Sequence, residues 1–143
     1  WQQIKSNLVQ RPVLIAPDPS KPYILQTDAS DYGISAILVQ LDDNGIEHVV
    51  SYSSRKLLPR ETRYSVIEKE CLAILHGLFK HDNWIYGQHV TVQSDHKALM
   101  WLGSISQHSP RLARWALLLQ RYDVSTVWRP ANLNKNSDAL SRL

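Results

Sequence analysis

Five acidic residues stand where folding could bring them to one place. Asp28 closes the β-rich run Tyr23–Thr27, and Asp95 closes a second run, His89–Ser94. Glu68 and Glu70 lie near the start of a segment with helical period, and Asp138 opens the last segment after a stretch rich in asparagine. If the two runs are parallel neighbours, both aspartates emerge at the carboxyl edge of an open sheet, where such sheets bind ligands. Carboxylates gathered there repel, so one is driven neutral unless a cation sits between them. Four hard oxygen ligands suit Mg²⁺, with Mn²⁺ able to substitute. Two such ions about 4 Å apart could activate a water and stabilise the leaving oxygen of an in-line phosphoryl displacement. Plainer readings stand beside this one: Asp28 as a turn residue, Glu68 as a helix cap, Asp138 as a first-turn acid favoured by the helix dipole.

The elements that must position these acids follow from period and punctuation. Tyr23–Thr27 and Ile34–Leu41 read as paired strands across Asp31-Tyr32-Gly33, where Gly33 can supply the positive φ of a tight reversal. Asp42-Asp43-Asn44-Gly45 is a strong turn signal, and Ile46–Ser54 continues the meander. Ile67, Cys71, Ile74, Leu75 and Leu78 then fall on one helical face. Ser65 and Glu68 fit a capping box, so this helix is predicted from about Val66 to about His81. Neither Glu68 nor Glu70 sits at the centre of the apolar face, and projection does not choose between them.

His89–Ser94 reads as a fourth strand and Lys97–Leu102 as a short helix. Leu112–Gln120 reads as a helix opening near Ser109-Pro110, with Pro favourable at its first position. Val124–Trp128 alternates like a fifth strand, and Ser137–Leu143 turns helical. Residues 1–20, a short helical stretch and then a connector with three prolines, are expected to link to an upstream domain, leaving 21–143 as the working domain. The order β-β-β-α-β-α-α-β-α predicts an α/β architecture, a mixed sheet with helices on its faces.

With 143 residues, one domain with a real core is expected. No internal repeat occurs, and the apolar runs are too short and punctuated to cross a bilayer as helices. A lone Cys71 excludes an internal disulfide and suits a reducing compartment. The formal charge of +3 is compatible with a polyanionic partner without demanding one. The chain opens without Met and closes on a helical start, so the expectation is a piece of a longer polypeptide.

The chain resembles the ribonuclease H domain of the reverse transcriptase polyprotein of gypsy-type long-terminal-repeat retrotransposons. The likeness runs through Pro12-Val13-Leu14, Pro17-Asp18, Thr27-Asp28-Ala29-Ser30, Gly33, Ala36–Gln40, Ser51–Leu57 and Glu61 with Tyr64-Ser65. It continues through Glu68-Lys69-Glu70, Leu72-Ala73-Ile74, Ser94-Asp95-His96, Arg114-Trp115, Asn134 and Asp138–Arg142. It implies the ribonuclease H fold, a five-stranded mixed sheet of order 3-2-1-4-5. It further implies cleavage of the RNA strand of RNA/DNA hybrids with two Mg²⁺ ions, leaving 3′-hydroxyl and 5′-phosphate ends. The implied metal ligands and catalytic residues are Asp28, Glu70, Asp95 and Asp138, and the implied partners are the hybrid and the upstream polymerase domain of the same polyprotein. The implied location is the cytoplasm, within virus-like particles, with nuclear access during integration. One departure from many relatives is the short loop Pro130–Asn136, which has no His and so argues against a His-assisted step.

Ser30 and Asn134 are candidate polar contacts to the substrate, or else turn caps. Arg111, Arg114 and Arg121 are candidate phosphate contacts, or else a solvated helix face. His96 is expected beside the metal site or at the surface, because hard Mg²⁺ prefers oxygen. His76 and His81, five apart, do not share a face and make a poor zinc pair. Trp84, Trp101, Trp115 and Trp128 are read as core or domain interface. Two further readings stand. A catalytically silent module that docks hybrid or polymerase has no reason to keep four acids together. A transposase or integrase on this fold expects its Glu last, whereas here the Glu falls between the first two Asp.

Overall fold

In a computed structural model, which describes residues 14–96 and 106–130, five strands form one sheet of order β3-β2-β1-β4-β5. The strands are β1 (Tyr23–Ala29), β2 (Gly33–Leu41), β3 (Glu47–Lys56), β4 (His89–Ser94) and β5 (Asp123–Trp128). β1, β2 and β3 pair antiparallel as the meander requires, while β4 joins β1 in parallel and β5 joins β4 in parallel. The parallel joins need long crossovers. Helix α1 (Val66–Lys80) with the short α2 (Asp82–Ile85) supplies the first, and α3 (Pro110–Leu119) lies in the second.

The Ser65–Glu68 capping box forms at the start of α1, with Ser65 Oγ accepting from the Glu68 amide and Glu68 Oε1 accepting from the Ser65 amide. α1 lays Cys71, Ile74, Leu75 and Leu78 against Tyr23, Leu25, Ala36, Leu38, Val90 and Val92, and this is the main core. β2 is buried from Gly33 to Gln40. At Gly77 the helix comes so close that a Cβ there would lie 2.7 Å from the Ala36 Cβ. Buried Gln40 ties the chain before β1 to the sheet: its side chain accepts from the Asp18 amide and donates to the Asp18 and Lys21 carbonyls.

Several expectations are corrected. Gly33 begins β2 without a positive φ; among the described residues only Gly45 and Gly87 have one. The reversal instead hangs on Ser30, whose Oγ accepts from the Tyr32 and Gly33 amides while its own amide donates to the Gly33 carbonyl. A 3₁₀ turn at Glu61–Arg63 and the helix Asp82–Ile85 had no sequence signal. Trp115 packs on the core, but Trp84 and Trp128 are exposed and belong to no core cluster. The helices expected within residues 1–10, 97–102 and 137–143 lie outside the described residues, as does Trp101. Among the described residues no helix is long and apolar enough to cross a membrane.

Candidate metal centre

The two aspartates meet because of register. The parallel rungs of β1 and β4 run from Tyr23 with Val90 to Gln26 with Gln93, and two residues further the same register sets Asp28 beside Asp95. Adjacent strands are about 4.8 Å apart, which brings their end carboxylates within reach of one cation. β5 fixes the Asp95 backbone from the other side. The Trp128 indole N–H donates to the Asp95 carbonyl at 3.2 Å, and the Arg129 amide donates to the Ser94 carbonyl at 2.8 Å.

The first turns of α1 decide between the two glutamates. Glu68 Oε1 is held by the cap, and Glu68 Oε2 accepts from Arg111 at 2.9 Å and from the Ser109 hydroxyl at 3.4 Å. Burial works to raise the Glu68 carboxyl, but the Ser65 amide and the Arg111 guanidinium outweigh it and hold the group below its ordinary range. With Glu68 anchored toward α3, a helix turning about 100° per residue aims Glu70 about 200° away, back toward the sheet edge. There one oxygen each from Asp28, Glu70 and Asp95 lie within 4.8 Å of one another. Asp28 is 3% exposed and Glu70 5%, with Asp95 half-buried.

Three carboxylates in that span, two of them buried, form an all-oxygen donor set on fixed backbone. Such a set fits a hard divalent cation and disfavours a soft one. Beside it runs a small cleft of ≈ 60 Å³ lined by Ala29, Ser30, Asp31, Val66, Lys69 and Glu70. The His96 Nδ1 is buried and has no hydrogen-bond partner among the described residues.

Of the sequence-predicted residues, the structure therefore gathers Asp28, Glu70 and Asp95, while Asp138 and Asn134 lie outside the described residues. Ser30 lies beside Asp28 with its hydroxyl engaged in the turn. Arg111 is committed to Glu68 and stacks 4.1 Å above the Tyr64 ring, whereas Arg114 and Arg121 are exposed. His76 bonds Ser53 and His81 bonds the Gly77 carbonyl, so neither faces the other as a metal pair. Sequence reasoning missed two neighbours of the acids. Trp128 holds Asp95 by its N–H, which no pattern announces. Lys69 stands between two glutamates in a capped first turn, and that setting is the signal for it in the sequence.

Comparisons with known proteins agree with this architecture. The family model described as "RNase H-like domain found in reverse transcriptase" matches residues 18–122. A retrovirus-related Pol polyprotein from transposon 297 of Drosophila melanogaster is 34% identical over 143 residues, which is all of this chain and 13% of that polyprotein. The fold is similar to that of RNase H1 from the halophilic archaeon Halobacterium salinarum, with a TM-score of 0.62 and 19% identity over 83% of this chain and 93% of that one. It is also similar to the foamy viral protease-reverse transcriptase solved in complex with an RNA/DNA hybrid. There the TM-score is 0.64 at 18% identity, over 90% of this chain and 18% of that one.

Proposed function

The chain belongs to the family of RNase H-like domains found in reverse transcriptase, and from that premise we propose that it is a metal-dependent endoribonuclease that cuts the RNA strand of RNA/DNA hybrids. The observation that carries the proposal is the meeting of Asp28, Glu70 and Asp95. In this reading these three, with Asp138 as a fourth ligand, would hold two Mg²⁺ ions. The bound ions would supply Lewis-acid chemistry, lowering the pKa of a water and neutralising charge on the phosphate that is cut.

The rest falls to the chain itself. β1 and β4 hold two carboxylates side by side, so little reorganisation remains at the moment of reaction. The Trp128 and Arg129 bonds fix the plane of the Ser94-Asp95 backbone and with it the aim of Asp95. The capping box fixes the rotation of α1 and therefore Glu70. Exposed Arg114 meets phosphate, while Ser30 and Asn134 approach the 2′-hydroxyls that distinguish RNA from DNA. Residues 1–20 join the domain to a polymerase domain of the same polyprotein, and the work is done inside virus-like particles during reverse transcription.

The test is cleavage of a hybrid labelled on either strand. Wild type should cut the RNA strand alone in Mg²⁺, leave 5′-phosphate ends, and stop in EDTA. Asp28→Asn should bind the hybrid, remain folded and lose about 10²–10³-fold in rate, as expected when a group that stabilises the transition state is removed. Cutting by Asp28→Asn at the wild-type rate, or equal cutting of both strands, overturns the proposal.

A further inference from the structure

Among the described residues, Lys69 is the one cation whose side chain lines the cleft beside the acids. It is only 9% exposed, an unusual place for a lysine, because ordering its stem costs rotamer entropy and its ammonium is strongly hydrated. Its ion pair does not account for that burial. The partner, Asp31, has a side chain 87% exposed, and the separation is 3.5 Å. A pair with so exposed a partner contributes little to stability. Asp31 sits on the Ser30-bonded turn that leaves β1, so its carboxylate is held at the cleft mouth by backbone placed for another purpose. At ≈ 60 Å³ the cleft is far below the ~300–1,000 Å³ of pockets that enclose a small molecule. It excludes a base or a sugar and admits the oxygens of a chain anion. Glu70 lines the same cleft, so an anion seated there lies next to the three carboxylates.

We propose that Lys69 binds a backbone phosphate of the nucleic-acid substrate next to the linkage that is cut, and that Asp31 occupies this cation until the phosphate displaces it. The proposal rests on the hybrid-cleaving reading above and adds a positioning residue to it. What changes is the partner of Lys69: an exposed, freely hydrated carboxylate is exchanged for a phosphate oxygen fixed by the rest of the bound duplex. The competing role for Lys69 is to neutralise the acid cluster in the metal-free protein, and the two roles predict opposite responses.

The test uses the full chain in EDTA, where no cleavage occurs, with a fluorescent RNA/DNA hybrid titrated from low salt upward. Lys69→Gln should weaken binding about tenfold or more, the loss typical of a hydrogen bond to a charged group. It should also reduce the slope of log K against log salt by about 0.7–0.9, the share of one phosphate. Lys69→Arg should restore most of both. Asp31→Asn, an exposed change that leaves packing alone, should tighten binding by about two- to fivefold by removing the competitor. With Mg²⁺ present, Lys69→Gln should raise KM more than it lowers kcat. Unchanged hybrid affinity and salt slope in Lys69→Gln, with tighter Mg²⁺ binding by calorimetry, would mean that Lys69 only neutralises the cluster, and the proposal fails. Failure of Asp31→Asn to tighten binding removes the displacement step. If wild type binds and cuts the hybrid while the Lys69 variants match it, this proposal falls alone; if wild type neither binds nor cuts, the functional reading falls first.

Discussion

Two glutamates two positions apart in one helix should respond to substitution in opposite directions, and the difference can be worked out from the structure. Glu68→Ala removes the acceptor for the Ser65 amide and the partner of Arg111. The cap is worth about 1 kcal/mol and the half-exposed ion pair up to about 1, so the loss is about 2 kcal/mol. For a domain of this size that lowers Tm by about 6–8 °C. Glu70→Gln keeps the shape and removes a charge. Two carboxylate oxygens no more than 4.8 Å apart repel by about 3.5 kcal/mol or more at an effective dielectric near 20. The metal-free protein carries part of that repulsion as a cost to its stability. Glu70→Gln relieves part of it and should raise Tm in EDTA by about 3–10 °C. In 10 mM MgCl₂ the order reverses, because wild type gains binding free energy that the variant cannot. Thermal unfolding of the three proteins followed by circular dichroism, with and without Mg²⁺, reads all of this. A Glu70→Gln protein that is destabilised in EDTA, beside a Glu68→Ala protein that is not, would show that the glutamates had been assigned the wrong way round.

Two other predictions probe the scaffold. Gly77→Ala would place a Cβ 2.7 Å from Ala36 Cβ and 2.9 Å from a Leu25 methyl. The overpacking cost of about 1–3 kcal/mol should exceed the helix-propensity gain of about 1, giving a lower midpoint in urea with an unchanged m-value. His76 is kept neutral in the fold because burial, followed by the nearby charges of Arg55 and Lys80, pushes its pKa down to about 4. The unfolded chain binds that proton below its ordinary value of 6.5, so stability is full above 6.5 and falls as pH drops toward 4, by on the order of 3 kcal/mol. In His76→Gln, urea midpoints should stay flatter over that window, and an unchanged pH profile would refute the assignment.

Much of this architecture was legible in the sequence, for reasons particular to each element. The Ser65–Glu68 box declared where α1 begins because its two side chains satisfy each other's backbone. The runs ending in Asp28 and Asp95 imply a shared edge for any topology that makes them parallel neighbours, as β1 and β4 are. The choice of Glu70 over Glu68 was not legible from the helix alone: Glu68, held by Ser65 through one oxygen and by Arg111 through the other, cannot also face the sheet, and the second hold exists only with α3 beside it in space. The turn after Asp28 was misread because Gly33 invites a glycine explanation, whereas the Ser30 hydroxyl performs the reversal by a local bond. Glu61–Arg63 and Asp82–Ile85 are too short to carry a period. The Trp128 bond to Asp95 joins residues 33 apart in sequence; the implied strand order sets β5 beside β4, but no pattern tells which β5 side chain reaches back to the Asp95 carbonyl.

The proposed chemistry requires a divalent ion held between Asp28, Glu70 and Asp95. Crystals of the chain soaked in Mn²⁺, measured at the manganese absorption edge, locate that ion by its anomalous scattering. The expected result is a peak about 2.0–2.2 Å from carboxylate oxygens of all three residues, lost in Asp28→Asn crystals treated in the same way. Manganese bound only at other acids, or this trio left without a peak at saturating Mn²⁺, would contradict it.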